Sequence, residues 1–415
     1  MISEIKLRPQ PLGVYGGTTG ALLLPSAEAD EVALSGLLLG NDGFDKVWPF
    51  YDLAVKEEVE LCLQTLDSFQ VSRLDEAWML SYNRFVLAAD ASLFEKLKGE
   101  LTGMPLALLE AAAYLHGFLP EPPVPPAEAD REILAYLLST VAHHKLGAGN
   151  LIGGLNDIDT AVSAVQEVSP VFAARLLAEW AAYGHSAELS ERAVEHYNKA
   201  LVLLEATGFH RLRAELALEL GMCCQLAGGQ TGVGKSRLLQ AIQAYQQALL
   251  YFHREGPDPH SYGLAHMNLA LVYLAMPMND EAERLRPAIA VQSLREALKV
   301  FTRETNAKMW ASATLNLANA LQHVPSTHNE ANLWEAVGLY QEILEVRKAE
   351  EDPLAYGRVL ANQGNALAHL GAFKKAEPIL AEAYSIFQRE GELDSAEAVS
   401  ALLEEIKRES GIAEV

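Results

Sequence analysis

Apolar residues recur along this chain at helical spacing, and between Glu188 and Glu390 one four-residue phrase recurs five times. Ala193, Tyr197, Ala200 and Leu201 set it. It returns as Ala241, Tyr245, Ala248 and Leu249, then as Ala290, Leu294, Ala297 and Leu298. Two more copies follow, Ala336, Tyr340, Ile343 and Leu344, then Ala376, Leu380, Ala383 and Tyr384. Successive copies lie 48, 49, 46 and 40 residues apart. Spacing of i, i+4, i+7 and i+8 puts all four side chains on one helix face. Alanine at fixed places lets a neighbouring helix come close, and Tyr or Leu fills the gap beside it. A second helix precedes each copy, so the period predicts stacked helix pairs, each burying its apolar face against the next.

Outside that stretch the pattern is weaker. Residues 1–43 have no helical period, and Gly13, Gly16, Gly17 and Gly20 with Pro9, Pro11 and Pro25 suggest turns or an extended arm. Such an arm docks on a partner or on the same chain; a loosely ordered terminus is the plainer reading. Helices are expected at about 51–66, 75–90 and 105–119, together a small α-helical N-terminal domain. Pro120-Glu-Pro-Pro-Val-Pro-Pro126 excludes helix and marks a stiff spacer. Helices at about 128–146 and 156–168 follow, separated by a loop at Gly147, Gly149, Gly153 and Gly154. Leu176–Tyr183 opens the first recognisable pair, and Leu393–Glu409 closes the chain as a capping helix. The division is 1–119, 120–126 and 127–415.

The first helix of several pairs carries a second phrase: Asn268-Leu-Ala-Leu-Val-Tyr273, Asn316-Leu-Ala-Asn-Ala-Leu321 and Asn362-Gln-Gly-Asn-Ala-Leu367. Glu219-Leu-Gly-Met-Cys-Cys224 is a weaker copy. With the Ala/Tyr/Ala phrase, these resemble tetratricopeptide repeats over about half the chain, and Phe301-Thr-Arg-Glu-Thr looks like bacterial members of that family. The resemblance implies an all-α protein, a right-handed α-solenoid of about six helix pairs behind the N-terminal domain. Trp180 departs from it, standing where the family has Gly. So does spacing: nine positions separate Leu367 from Ala376, as in the family. The three middle pairs have 17, 17 and 15 and so carry longer connections or extended helices on one edge.

Composition narrows the function. The net charge of −23 repels phosphates, which argues against nucleic acid and is compatible with a basic protein partner, although solubility alone accounts for it. Three cysteines, two of them adjacent, make neither a disulfide framework nor a metal motif, and fit a reducing compartment. Met-Ile-Ser-Glu opens no signal peptide, and no apolar run spans a bilayer, so a cytoplasmic protein is expected.

Two candidate sites stand out. Gly229-Gln-Thr-Gly-Val-Gly234-Lys235-Ser236 fits the phosphate-binding loop pattern, in which backbone N–H groups and the lysine take phosphates and the serine holds Mg²⁺. That loop must follow a strand, whereas Arg213–Ala227 reads as helix, so a solvated loop opening the next helix is the better reading. The second site is amide-rich: Asn268, Asn316, Asn319, Asn362 and Asn365, joined by Arg358. In the resembling family these positions face a concave groove, where amides both donate to and accept from the backbone of an extended ligand. Only Arg358 supplies the basic residue that chaperone-binding members add; Leu264 and Ser312 hold its equivalents. His143 and His144 point about 100° apart on a helix and read as packing residues. Asp157 and Asp159 read as helix caps. No catalytic or cofactor motif appears. The expectation is a non-enzymatic scaffold binding a protein or peptide segment, without cofactor or metal. A nucleotide-dependent regulator using Gly229–Ser236 and a self-assembling, homodimeric structural protein are the alternatives.

Overall fold

Helices that repeat one small-residue pattern pack closest where that pattern is smallest, and the second half of this chain is built that way. In a computed structural model, the described residues are 12–13, 21–26, 47–55, 58–129, 131–186, 189–228, 234–276, 285–324 and 329–409. They hold eighteen α-helices and one short two-stranded ladder, an all-α solenoid architecture. The chain divides into two units, Met1–Ala227 and Gly228–Val415.

The second unit runs α11 (Gly234–Ala248), α12 (Pro259–Ala275), α13 (Arg286–Ala297), α14 (Arg303–Leu321), α15 (Asn329–Val346), α16 (Pro353–His369), α17 (Phe373–Glu390) and α18 (Leu393–Glu409). Each helix packs against the next in sequence. Local signals start α12, α14 and α16. Asp258 and Asp352 accept from Ser261 and Ala355 N–H groups, each followed by proline in the first turn, and Thr302 forms a reciprocal capping box with Thr305. In α11, α13, α15 and α17 the first three positions of the phrase, from Ala241 to Ala383, are all 0% exposed. The fourth position lies at the boundary: Leu249, Leu298 and Leu344 are half-buried and Tyr384 is exposed. The buried stripe is therefore narrower by one residue than the spacing predicts. In α16, Gly364 permits the closest approach, since a Cβ there would meet Leu380 at 2.5 Å. The long middle connections resolve partly into longer second helices, α11 and α15 each beginning seven residues before the first alanine. The rest of those insertions lies outside the described residues.

The first unit contains α1 (Pro49–Val55), α2 (Val59–Ser68), a 3-10 turn (Leu74–Glu76), α3 (Ala77–Ala88), α4 (Ala91–Glu100) and α5 (Gly103–Leu115). Then come α6 (Arg131–Gly147), α7 (Leu151–Val165), α8 (Pro170–Ser186), α9 (Ser190–Leu204) and α10 (His210–Gly228). Residues 120–126 are non-helical, as their prolines require. Several expectations change. The helix placed at 51–66 is two helices, and Glu58 N–H turns back to Leu53 C=O between them. Helix α4 was not anticipated: Ala89 turns left-handed (φ 49°) to end α3, and Asp90 then caps Ser92 and Leu93 to start a new helix. The glycine loop shrinks to 148–150, because Asn150 caps α7 through Gly153 N–H and draws Gly153 and Gly154 into the helix. Asp157 and Asp159 lie inside α7 and pair instead of capping: Asp157 with Lys145, Asp159 with His196 and Arg192. Trp180, in place of a small residue, lies flat on His196 at 3.9 Å, with the Arg192 guanidinium over its ring.

The described part of the N-terminal arm is also corrected. Residues 21–26 are docked on the same chain, with β1 (Leu12–Gly13) antiparallel to β2 (Leu22–Leu23).

Candidate functional site

Helices α14 and α16 occupy equivalent places in adjacent pairs, and each presents two amides three residues apart on one face. Between them lies a cavity of about 620 Å³, within the range of ligand pockets. From α14 it is lined by Asn319, Gln322 and His323; from α16 by Asn362, Asn365 and His369. The start of α15 adds Asn329 and Leu333. No acidic residue is among these eight, in a chain whose net charge is −23.

The amides bond one another across the gap. Asn362 Nδ2 donates to Asn319 Oδ1 at 3.0 Å, and Asn365 Nδ2 to Gln322 Oε1 at 3.3 Å. Tyr340, buried on α15, anchors the row: its hydroxyl donates to Asn319 Oδ1 at 2.6 Å and accepts from Gln322 Nε2 at 2.6 Å. Burial pushes the Tyr340 phenol well above its ordinary range, so it stays neutral and able to donate. This network fills both lone pairs of Asn319 Oδ1. It leaves Asn319 Nδ2, Asn362 Oδ1 and Asn365 Oδ1 without a partner among the described residues, so donors and acceptors both remain for a ligand. Gln363, just behind, reaches the Val337 carbonyl at 3.3 Å and fixes α16 against α15.

Of the residues picked from sequence, Asn319, Asn362 and Asn365 come together here. Asn268 and Asn316 are half-buried on α12 and α14 and do not line the cavity, nor does exposed Arg358, one turn before Asn362. The pointer to the missed residues was present: Gln322 stands three past Asn319, while His323 and His369 stand seven past Asn316 and Asn362, all same-face spacings. Only Asn329 and Leu333 come from a second helix, with no periodicity linking them to the row.

The phosphate-loop candidate follows a helix, α10, rather than a strand, and Gly234, Lys235 and Ser236 form the first turn of α11. Gly229 and the residues up to 233 lie outside the described residues. Among the described residues no group of three His, Cys, Asp or Glu side chains is placed to hold a metal, and no helix is long and apolar enough to cross a membrane. Elsewhere, His143 pairs with Glu179, which raises its pKa, and His144 meets the Tyr114 hydroxyl at 3.1 Å. His266 in α12 is half-buried, and desolvation lowers its pKa.

No family model and no curated protein matches this chain. Solved structures do. The apo form of RapI is 13% identical, with 86% of this chain and 98% of that one covered at a TM-score of 0.45. The C-terminal part of a TPR repeat-containing protein from Cytophaga hutchinsonii is 11% identical, covering 80% and 94% at 0.43. A Rap protein complexed with competence and sporulation factor is 14% identical, covering 91% and 98% at 0.37. In this chain the alanine columns of the repeated phrase are fully buried, as the resemblance to tetratricopeptide repeats implies.

Proposed function

We propose that this chain of tetratricopeptide-type helix pairs is a non-catalytic interaction scaffold. Its second unit takes an extended segment of a protein partner in the amide cavity between α14 and α16. The observation that carries this reading is the linked row of Asn319, Asn362, Gln322 and Asn365, pre-ordered by Tyr340 yet retaining both donor and acceptor capacity. Neutral amides suit peptide backbone, which offers the same alternation of N–H and C=O. A side-chain network already held in place loses little freedom on binding. Asn316, Asn268 and Arg358 continue the row along α14, α12 and α16 as outer contacts. The strongly acidic remainder of the surface favours the approach of a basic partner without entering the cavity. Three buried thiols, none in a disulfide, are at home in a reducing compartment such as the cytoplasm.

The test begins with capture of partners from the protein's own cells and titration of the partner found. Asn362→Ala with Asn365→Ala should weaken binding by about 0.5–1.5 kcal/mol per amide, with the helical spectrum intact. Asn319 is a poor probe, because it also serves the buried Tyr340. Unchanged affinity in the double variant would remove the cavity as the site.

A further inference from the structure

Residues 21–26 form an extended segment of the first unit that is bonded along its length. Ala21, Leu22, Leu23 and Leu24 are each at most 1% exposed. One edge of this segment faces β1, with Leu12 opposite Leu23 and Gly13 opposite Leu22. The other edge faces a side chain. Asn83 of α3 accepts Leu23 N–H at Oδ1 and donates Nδ2–H to Leu23 C=O, both at 2.7 Å. A single amide thus presents to Leu23 the donor and acceptor that a neighbouring strand would present. Trp48 Nε1 donates to the Pro25 carbonyl at 2.9 Å. Glu76 accepts the Ser26 N–H at 2.7 Å and its hydroxyl at 2.6 Å.

The groups that hold this segment are themselves interior. Asn83 and Trp48 are 0% exposed and Glu76 is 6% exposed. Withdrawing the segment would leave an amide, an indole N–H and a carboxylate in an apolar cleft without these partners, a costly state for each. Main-chain groups gripped by fixed side chains, with the apolar side chains of the segment buried beside them, is the chemistry of strand-type peptide recognition. Here the recognised segment belongs to the same chain.

We propose that this cleft of the first unit is a binding site for an extended Ala-Leu-Leu-Leu-Pro-Ser segment, filled in cis by residues 21–26 and able to take the same segment in trans from a second copy. Asn83 reads the backbone at Leu23, Trp48 reads Pro25, and Glu76 selects a residue with both an N–H and a hydroxyl at position 26. The site is independent of the amide cavity.

The test inserts a protease site after Gly36 in the full chain and cuts it in the folded protein. A labelled synthetic peptide of residues 10–28 is then added, and its uptake followed by fluorescence polarisation. Saturable uptake with displacement of the cut fragment is expected. A peptide of scrambled sequence should not enter, and Asn83→Leu in the cut protein should weaken uptake by about tenfold or more, since it removes two hydrogen bonds and orphans the strand groups. Should the cut itself unfold the first unit, recovery of the helical signal on adding peptide counts as uptake. No uptake and no recovery, or equal uptake of the scrambled peptide, overturns the proposal.

Discussion

The front of the first unit and the pairs of the second solve the same burial problem with opposite residues. Around α1 to α5 the core is aromatic. Trp48, Phe50, Tyr51, Tyr82 and Phe85 are at most 1% exposed, and Phe85 alone touches the rings of Phe94, His116 and Phe118 at 5.6 to 5.7 Å. From α11 to α17 every helix carries at least one alanine that is 0% exposed, and larger residues pack beside these small ones. The aromatic core is sewn together by bonds spanning 50 and 60 residues of sequence. The repeat core is sewn between chain neighbours. A core of few large side chains fails when one is removed, and a core of many small ones fails when one is enlarged.

Four substitutions would break or sharpen that contrast. The largest effect is expected at Phe85→Ala, which empties the centre of four rings and should lower stability by about 3–5 kcal/mol, read from the urea midpoint. Next is Ala297→Leu, where a fully buried methyl at a helix contact becomes isobutyl; overpacking should cost about 1–3 kcal/mol. If the order of these two is reversed, the small-residue column is the more critical core and the contrast fails. The smallest effect separates the units by pH. His143, in the first unit, has its pKa raised, first by its bond to Glu179. Its contribution is therefore fully present below the ordinary value near 6.5 and is lost as pH rises through the raised one. His266, in the second unit, has its pKa lowered, first by burial, with Glu296 opposing and Lys299 assisting. It favours the fold above 6.5 and penalises it as pH falls through that value. Across pH 5.5 to 8, the melting temperature of His143→Gln should fall short of wild type mainly at the acid end. That of His266→Gln should gain on wild type there. Parallel profiles would refute the assignment.

The same contrast decides what was legible in the sequence. A phrase recurring with neighbours of its own kind announces both helix and contact, so the stripe from Ala241 to Ala383 and the whole of α18 could be read directly. Asn319, Asn362 and Asn365 were legible for the same reason, and Gln322 would have been, had the three-residue spacing been followed one step further. The front was not legible, because Asn83 and Glu76 matter only to partners at Leu23 and Ser26, and nothing in a local window carries that relation. Asp90 was legible as a cap in retrospect. Its helix is short, and Ala89 interrupts the apolar period before it.

One detail of the amide row changes how the second unit behaves as a statistical object. Helices that contact chiefly the next in line behave as a one-dimensional lattice, in which each pair melts or forms under the influence of its neighbours alone. The bonds from Asn362 to Asn319 and from Asn365 to Gln322 step over α15 and join α16 directly to α14. They enlarge the cooperative block at that place, so that two pairs share one fate. An occupant of the cavity adds to that coupling constant, and the unit would register its presence as a lengthened correlation along the array before any helix moved.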